Sequence, residues 1–511
     1  MATSFPWTQL LGAVCVLVIT KFIWEFLFSP LKAFPGPLLA KFTDLWRVVA
    51  VLRGQFDSTN VRLHLKYGSA VRVGPNCISL GDPRAIRTVY ATKDPWIKSD
   101  MYKPNDALVN CRRISNIFNT PDEEWHAKQI RPIRNMWTMT KVLDYEPLID
   151  ETLDKFVNKL AAKFVDGANA GKTCPIDEWL GYFAWDVTAN VSFGRHYGFI
   201  DQEKDVDNLI GDSTKGLLYF APVSQMPWID HLLDKNPIVR IGPKPLLTGI
   251  TYAFRVVTEY QKELSEQQKK EPSTVRHALD KYVRLKESYP DIDDNQIVSW
   301  LMLNVLAGGD TTSATMRAVV YYLAKSPAAY NKLINELDAA QLSLPAKWKD
   351  IYVLPYLDAV IRESMRINPG IAMIFERVVP KGGYTLPCGR YIPAGTKVGV
   401  NPAVTNRDYE VFGADADSFN PDRWLKGADE SQQDYEARLR QMKDVCDFTF
   451  GGGGRVCMGR YLAVLEIYKL IATLYSLFDI KLINPNHKWK YVDAWFVYQY
   501  DIPVTITRRK K

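Results

Sequence analysis

The residues best placed to do chemistry run from Phe450 to Gly459 and read Phe-Gly-Gly-Gly-Gly-Arg-Val-Cys-Met-Gly. Four consecutive glycines lose too much conformational entropy to sit inside a helix or strand. They predict a loop whose backbone can take positive φ and approach a partner closely. Beyond it Ala463, Ile467, Leu470, Ile471, Leu474 and Leu477 recur at helical spacing. Cys457 therefore lies where a glycine loop meets a helix N-terminus, whose free amides and partial positive charge favour a thiolate. Arg455, two residues earlier, can reach an anion lying across the same loop. A lone cysteine is more often a small buried hydrophobe, and a glycine loop before a helix can cradle phosphate. No Lys-Ser or Lys-Thr pair follows these glycines, which removes the main cation of the phosphate reading. A thiolate, donors around it and a nearby cation suit a haem iron with a carboxylate-bearing edge.

Phe450, Gly453, Arg455, Cys457 and Gly459 match every fixed position of the cysteine-loop signature of the cytochrome P450 family, which this chain resembles from about residue 34 to residue 511. The resemblance implies a mainly α fold with small β-sheets (α+β). Haem b would lie between a long kinked helix and the cysteine-loop helix, with Cys457 as the axial thiolate ligand. Three further motifs fall in the family's order.

The first is on a helix that Asp293 or Asp294 can cap and that runs to about Lys325, where Ser326-Pro327 starts another. Its middle reads Ala307-Gly308-Gly309-Asp310-Thr311-Thr312. Two glycines and two threonines weaken a helix and let carbonyls bond side chains, which bends it; on the residues alone, helix–helix packing on small side chains explains them equally well. The stretch resembles the family's oxygen-binding kink. Carried over, Thr311 bonds oxygen and Asp310 helps relay protons from solvent into a dry pocket. The second motif is Glu363-Ser364-Met365-Arg366. Glu and Arg three apart share a helix face and usually form a solvated pair. Here they match the family's Glu-x-x-Arg, with Arg423 of Pro421-Asp422-Arg423-Trp424 as third member of a buried structural network. Between them, Arg377 matches an arginine on a haem propionate, and Ile371, Ala372, Met373 and Ile374 would line the substrate pocket. The third is Ile392 to Thr396 with Asn401-Pro402, Asn406-Arg407-Asp408 and Phe412-Gly413, which looks most like fungal members related to pisatin demethylase.

The chain departs from the family at the helix expected over residues 122 to 135. Trp or His is usually followed four residues later by Arg, both on propionates, whereas here Trp125 leads to Gln129 and His126 to Ile130. A partly buried carboxylate needs a cation. On an ideal helix Lys128 shares the face led by Trp125 and is the expected replacement, with His126 as a neighbouring donor. Arg131 points about 120° away, yet it aligns with a basic position in fungal relatives and is the rival.

The composition fits a large globular enzyme. Of 511 residues, 47% are hydrophobic and 24% charged, and the net charge of +7 is too diffuse for nucleic acid. Seven cysteines without paired spacing argue for a reducing compartment. Phe5 to Phe28 is nearly all apolar and as a helix extends roughly 36 Å, enough to span a bilayer. No basic stretch precedes it and no cleavage site follows. Residues 1–28 are thus expected to be a membrane anchor and 29–37 a proline-rich hinge. Residues 38–511 would be the haem-thiolate catalytic domain, on the cytoplasmic side because Lys32, Lys41 and Arg47 follow the anchor. A buried core helix is the alternative for this stretch. The stretch 94–121, with Pro95, Pro104 and Pro121, reads as a long loop, and the resemblance implies that it roofs the pocket.

The expected protein is a single-pass endoplasmic reticulum monooxygenase that hydroxylates, epoxidises or O-dealkylates a lipophilic small molecule with O2. Its electrons would come from NADPH through a separate P450 reductase, with cytochrome b5 as a second donor, since no nicotinamide or flavin motif is present. A haem-thiolate isomerase or dehydratase that does not use O2, and a non-catalytic membrane haem-binding protein, are the alternatives.

Overall fold

Asp293 starts the longest helix among the described residues: its carboxylate accepts from the Gln296 amide at 2.8 Å, and the helix runs from Asp294 to Lys325. The computed structural model describes residues 7–109, 112–243, 247–267 and 277–509. The long helix passes through Ala307 to Thr312 uninterrupted, and the Thr311 hydroxyl donates back to the Ala307 carbonyl at 2.7 Å. That is the side-chain bond by which such a helix bends. The two glycines have a second cause. The helix Ile176–Phe193 packs so closely that a Cβ on Gly308 would lie 2.6 Å from Cγ2 of Thr188, and one on Gly309 would lie 2.7 Å from the Trp185 ring. Small residues are needed here for packing, whatever else the stretch does.

The cysteine helix, Arg460–Leu477, and the helix Pro355–Ile367 pack against the same long helix. Leu301, Val305, Val319, Val360, Ile467 and Leu474 from these elements share one large buried core. Burial of this size, at about 25 cal/mol per Å² of apolar surface, is the main stabilising term.

Small sheets surround the helices. The hairpin read at Ala70–Gly74 and Cys77–Leu80 is present, and Lys397–Val400 adds parallel to it with Ile78 opposite Val398. Arg377–Val378 closes that four-stranded sheet antiparallel. A second hairpin pairs Lys490–Ala494 with Phe496–Tyr500, and Phe496 bridges Ile371. Helices around a common core with these peripheral sheets make the mainly α, α+β architecture expected.

Trp7–Phe28 forms one helix of 22 residues, whose Val16, Leu17, Ile19, Ile23, Trp24 and Phe28 are exposed. Residues 1–6 of the expected anchor lie outside the described residues. Among the described residues no helix is long and apolar enough to cross a membrane. The proline-rich stretch 29–37 lies against the body: Leu31 and Phe34 are buried, and the Arg72 amide donates to the Pro35 carbonyl at 2.7 Å.

Candidate active site

Cys457 stands three residues before the cysteine helix, and its own amide donates to the Phe450 carbonyl at 2.8 Å, which closes the loop. The turn needs glycine at two of the four positions. Gly451 and Gly453 have φ of 78° and 61°, and a Cβ on Gly453 would meet the Tyr90 carbonyl oxygen at 2.5 Å. Burial pushes the Cys457 thiol pKa up, while the Gly459 and Arg460 amides and the Arg460 charge pull it down. The side chain is nevertheless accessible. Ala307 and Thr311 in the middle of the long helix are only half-buried, as are Phe450 and Ile371. Accessible groups on elements that pack together leave an interior space between them, and Thr311 lies at its edge beside Gly370.

A basic cluster adjoins the loop. Arg455 is buried and pairs with Glu123 at 2.9 Å, also donating toward the Ile117 carbonyl. Arg377 donates to the Glu376 carbonyl at 2.9 Å, and its guanidinium lies 5.0 Å from the centre of the Tyr90 ring. Glu376 is itself held by Arg47 and by Ser99 at 2.6 Å, which fixes the strand that carries Arg377. Lys98 is bridged to Arg377 in antiparallel register and is 7% exposed; its ammonium donates to the Phe118 carbonyl and lies over the Tyr102 and Phe118 rings. Like charges directly opposite in such a pair repel. Burial, then Arg377 and Arg455, hold the Lys98 pKa well below its ordinary value. His126 is buried beside them and neutral: burial, Arg455 and Lys98 lower its pKa to about 3.

These residues fit the haem expected from the sequence. Of the three basic side chains Arg455 pairs with Glu123, and haem b carries two propionates that Arg377 and Lys98 would meet. A buried lysine that has no ion pair among the described residues, and whose ammonium donates to a carbonyl, marks an anion site here. Lys128, expected to supply the missing cation, is exposed on the helix Glu123–Ile130, and its rival Arg131 is exposed beyond the end of that helix. Lys98, which lies in the basic cluster, is the candidate we propose in their place. The ideal-helix argument weighed only one element, and Lys98 arrives from another, in a loop with no motif to signal it. Lys98→Met should therefore shed haem on dilution about tenfold faster, as expected when a pairing of roughly 1–2 kcal/mol is lost. Lys128→Ala and Arg131→Ala should match wild type, and the reverse order, read from the decay of haem absorbance, would refute the assignment.

The remaining site residues divide between two sides. Asp310 does not face the interior space. It is buried, with Trp185 Nε1 donating to Oδ1 at 2.9 Å and Tyr498 and Ser213 donating to Oδ2 at 2.8 and 3.2 Å. Burial raises its pKa against the pull of these donors and of Arg317. Of the four expected pocket residues, Met373 and Ile374 pack with Phe375, Phe448 and Trp495, and Ile371 lies half-buried against the same cluster. Ala372 does not share their space. It packs on Ala403 and Val497 and lines a cavity of about 120 Å³ with Asp57, Arg407 and Tyr491. Glu363, Arg366 and Arg423 form a buried network, Arg366 meeting Glu363 in two bonds of 2.8 and 2.7 Å and Arg423 Nε reaching Glu363 at 3.1 Å.

A cysteine loop at a helix N-terminus, a long helix across it and a propionate-ready basic cluster define a haem-thiolate protein. The cytochrome P450 family model matches residues 35–499, and the chain belongs to that family. The cytochrome P450 monooxygenase cfoH of Aspergillus candidus is 35% identical over 500 residues, covering 97% of this chain and 92% of its own. The monooxygenase cicH of Emericella nidulans is 36% identical over 473 residues, 91% of this chain and 92% of its own. The monooxygenase mfmA of Annulohypoxylon moriforme is 35% identical over 509 residues, 98% and 95% respectively. The protein is thus an oxidoreductase of the cytochrome P450 monooxygenase kind, and members of the family bind haem through a cysteine thiolate.

Proposed function

We propose that this protein inserts one oxygen atom from O2 into a lipophilic small molecule of fungal specialised metabolism, by hydroxylation, epoxidation or O-dealkylation. The second atom leaves as water, and NADPH supplies two electrons through a separate flavoprotein reductase. The observation that carries the reading is the accessible Cys457 sulfur, between two helix amides and next to the buried cations Lys98, Arg377 and Arg455. Bound haem, held by these residues, supplies the activation of O2.

The chain's own residues do the rest. Cys457 binds as a thiolate stabilised by the Gly459 and Arg460 amides. The half-buried Thr311 hydroxyl, which donates to Ala307 in the structure, turns to hold and protonate oxygen on the side facing the pocket. Asp310 stores a proton in a site from which water is excluded. Rings of Tyr102, Phe118, Phe220, Phe375 and Trp495 pack edge to face or tilted in one apolar cluster, against which Ile371 lies half-buried, and an apolar substrate suits such a neighbourhood.

The chain is held on the endoplasmic reticulum membrane, with residues 1–28 as a single-pass anchor and the catalytic domain cytoplasmic. A second apolar surface supports this: Trp228, Leu232, Ile238 and Val239 are all exposed, and Ile238 is 88% so. Deleting residues 1–28 should release the haem-loaded protein from microsomes; loss of haem instead would favour a buried helix.

Extracts of a strain lacking the gene supply the substrate pool for the decisive test. With microsomes holding this protein, reductase and NADPH, labelled O2 should place one labelled atom in a product, or leave a dealkylated one. A product formed without NADPH and without O2 would point to an isomerase or dehydratase, and haem binding with no NADPH consumption on any extract to a carrier or sensor.

A further inference from the structure

Of the three side chains that hold Asp310, one is fixed. Trp185 Nε1, on the helix Ile176–Phe193, meets Oδ1 at 2.9 Å, and an indole N–H can only donate. Ser213 of the helix Leu209–Val223 and Tyr498 of the strand Phe496–Tyr500 meet Oδ2 through hydroxyls, which donate or accept according to how they rotate. Oδ1 is therefore kept as an acceptor in either state of the acid, and a proton on Asp310 has room only on Oδ2. Among the described residues the charged side chain that acts on Asp310 is Arg317, whose Nε donates to the Asp177 carbonyl at 2.9 Å.

Two features set the indole in place. Asp186, the next residue of its helix, is fully buried and accepts from the Gly198 and Ile200 amides, both at 2.9 Å. Phe199 lies between those two residues in the chain, and its ring stands edge-on to Trp185 with centroids 5.9 Å apart, a geometry that aromatic pairs favour. On the other side Gly309 admits the ring. A Cβ there would lie 2.7 Å from Nε1 of the indole, the atom that donates to Asp310. The residue whose missing side chain lets the indole in is thus the chain neighbour of the residue that the indole holds. Close packing of the two helices explains Gly309, and the hydrogen bond is what that close packing makes possible.

The geometry points to Trp185 as the positioning residue of Asp310: its indole holds Oδ1, sets the plane of the carboxyl group and confines the acid's proton to Oδ2, the oxygen shared with two hydroxyls. Trp185 acts only through Asp310, and its own N–H proton stays where it is. The inference rests on the reading that Asp310 supplies protons toward the oxygen side. It adds the residue that makes this acid present its proton on one oxygen and in one orientation, and it gives Gly309 a part in the same unit.

The test needs no organic substrate. The haem-loaded protein, a microsomal flavoprotein reductase, NADPH and O2 reduce oxygen to peroxide with two protons and one NADPH, or to water with four protons and two NADPH. The ratio of NADPH to O2 consumed, with peroxide assayed directly, reads proton supply. Asp310→Asn should divert the flux to peroxide and slow water formation about tenfold or more. Trp185→Phe, which keeps a ring but no donor, should shift the partition the same way, by about fivefold, the factor one lost hydrogen bond carries. Trp185→benzothienylalanine puts sulfur in place of the N–H at nearly unchanged shape, so it keeps the packing and should match Trp185→Phe. Gly309→Ala should follow them, and combined with Trp185→Phe it should be no worse than the poorer single variant. A donor to Oδ1 favours the ionised acid, so the pH at which the partition changes should rise in the donor-free variants. Independently of turnover, the carbonyl stretch of protonated Asp310, found as the infrared band lost in Asp310→Asn, should move to higher wavenumber in the benzothienylalanine variant, because the oxygen without the proton loses its donor. Wild-type partition and an unmoved band in that variant would show that the indole only fills space and would overturn the inference, even with Trp185→Phe diverted. Normal partition in Asp310→Asn would instead remove the role of Asp310 on which the inference rests.

Discussion

Cys457→Ala should remove the red-shifted Soret band that a reduced, carbon monoxide-bound, thiolate-ligated iron gives, while leaving the fold intact. The two halves of that expectation have separate causes. Iron ligation by sulfur needs an anionic ligand atom, and the loop holds the Cys457 sulfur where the Gly459 and Arg460 amides offset part of the unfavourable effect of burial on a thiolate. Alanine offers no ligand. The fold, by contrast, draws little from the side chain, which is accessible. The loop is closed by backbone, through the Cys457 amide on the Phe450 carbonyl and the Gly451 amide on the Phe448 carbonyl, and alanine keeps both bonds. Far-ultraviolet circular dichroism should therefore match wild type while the carbon monoxide difference spectrum loses the band. Retention of the band would place the ligand elsewhere and overturn the site from which the whole functional reading is built.

The same loop shows why part of this protein was legible in its sequence. A glycine run, a cysteine and a helical repeat are local, and so are the Asp293 cap and the Ala70–Leu80 hairpin; each followed from residues a few positions apart. Lys98 and Tyr498 were not legible because their significance depends on partners 279 and 188 positions away, Arg377 and Asp310. No periodicity or spacing connects such pairs. The glycines of the long helix were legible only as an ambiguity, and it was the approach of Trp185 and Thr188 that showed their packing role. Ala372 was expected in the pocket with the apolar residues beside it; its neighbours Ala403 and Val497, 31 and 125 positions away, set it in a different cluster.

The second large effect is expected far from the chemistry. Glu363 is fully buried and accepts from five donors: two nitrogens of Arg366, Nε of Arg423, the Trp424 indole at 2.9 Å and the Asn420 amide at 2.8 Å. Arg366 in turn donates to the carbonyls of Asn406, Ala416 and Ser418, so one carboxylate organises the chain from residue 406 to residue 424. A buried pair of this kind is weak evidence of net stabilisation when both partners are considered together, because desolvation offsets attraction. Removing one partner is different. Glu363→Ala leaves the buried Arg366 guanidinium with its charge unmet, while Arg423 keeps Asp415 at 2.8 Å; the cost is roughly 3–5 kcal/mol, against a total stability of about 5–15 kcal/mol for a folded protein. Glu363→Gln keeps the shape and one acceptor but not the charge, and should fall between. Thermal denaturation of the haem-loaded proteins should rank wild type above Gln and Gln above Ala, with the alanine variant releasing haem as the loop segment 406–424 loosens. Arg366→Met should be as damaging as Glu363→Ala, since it frees three carbonyls as well as the carboxylate. An alanine variant that melts with wild type would mean that water enters and solvates the arginines, and that the network is not the support it is taken to be.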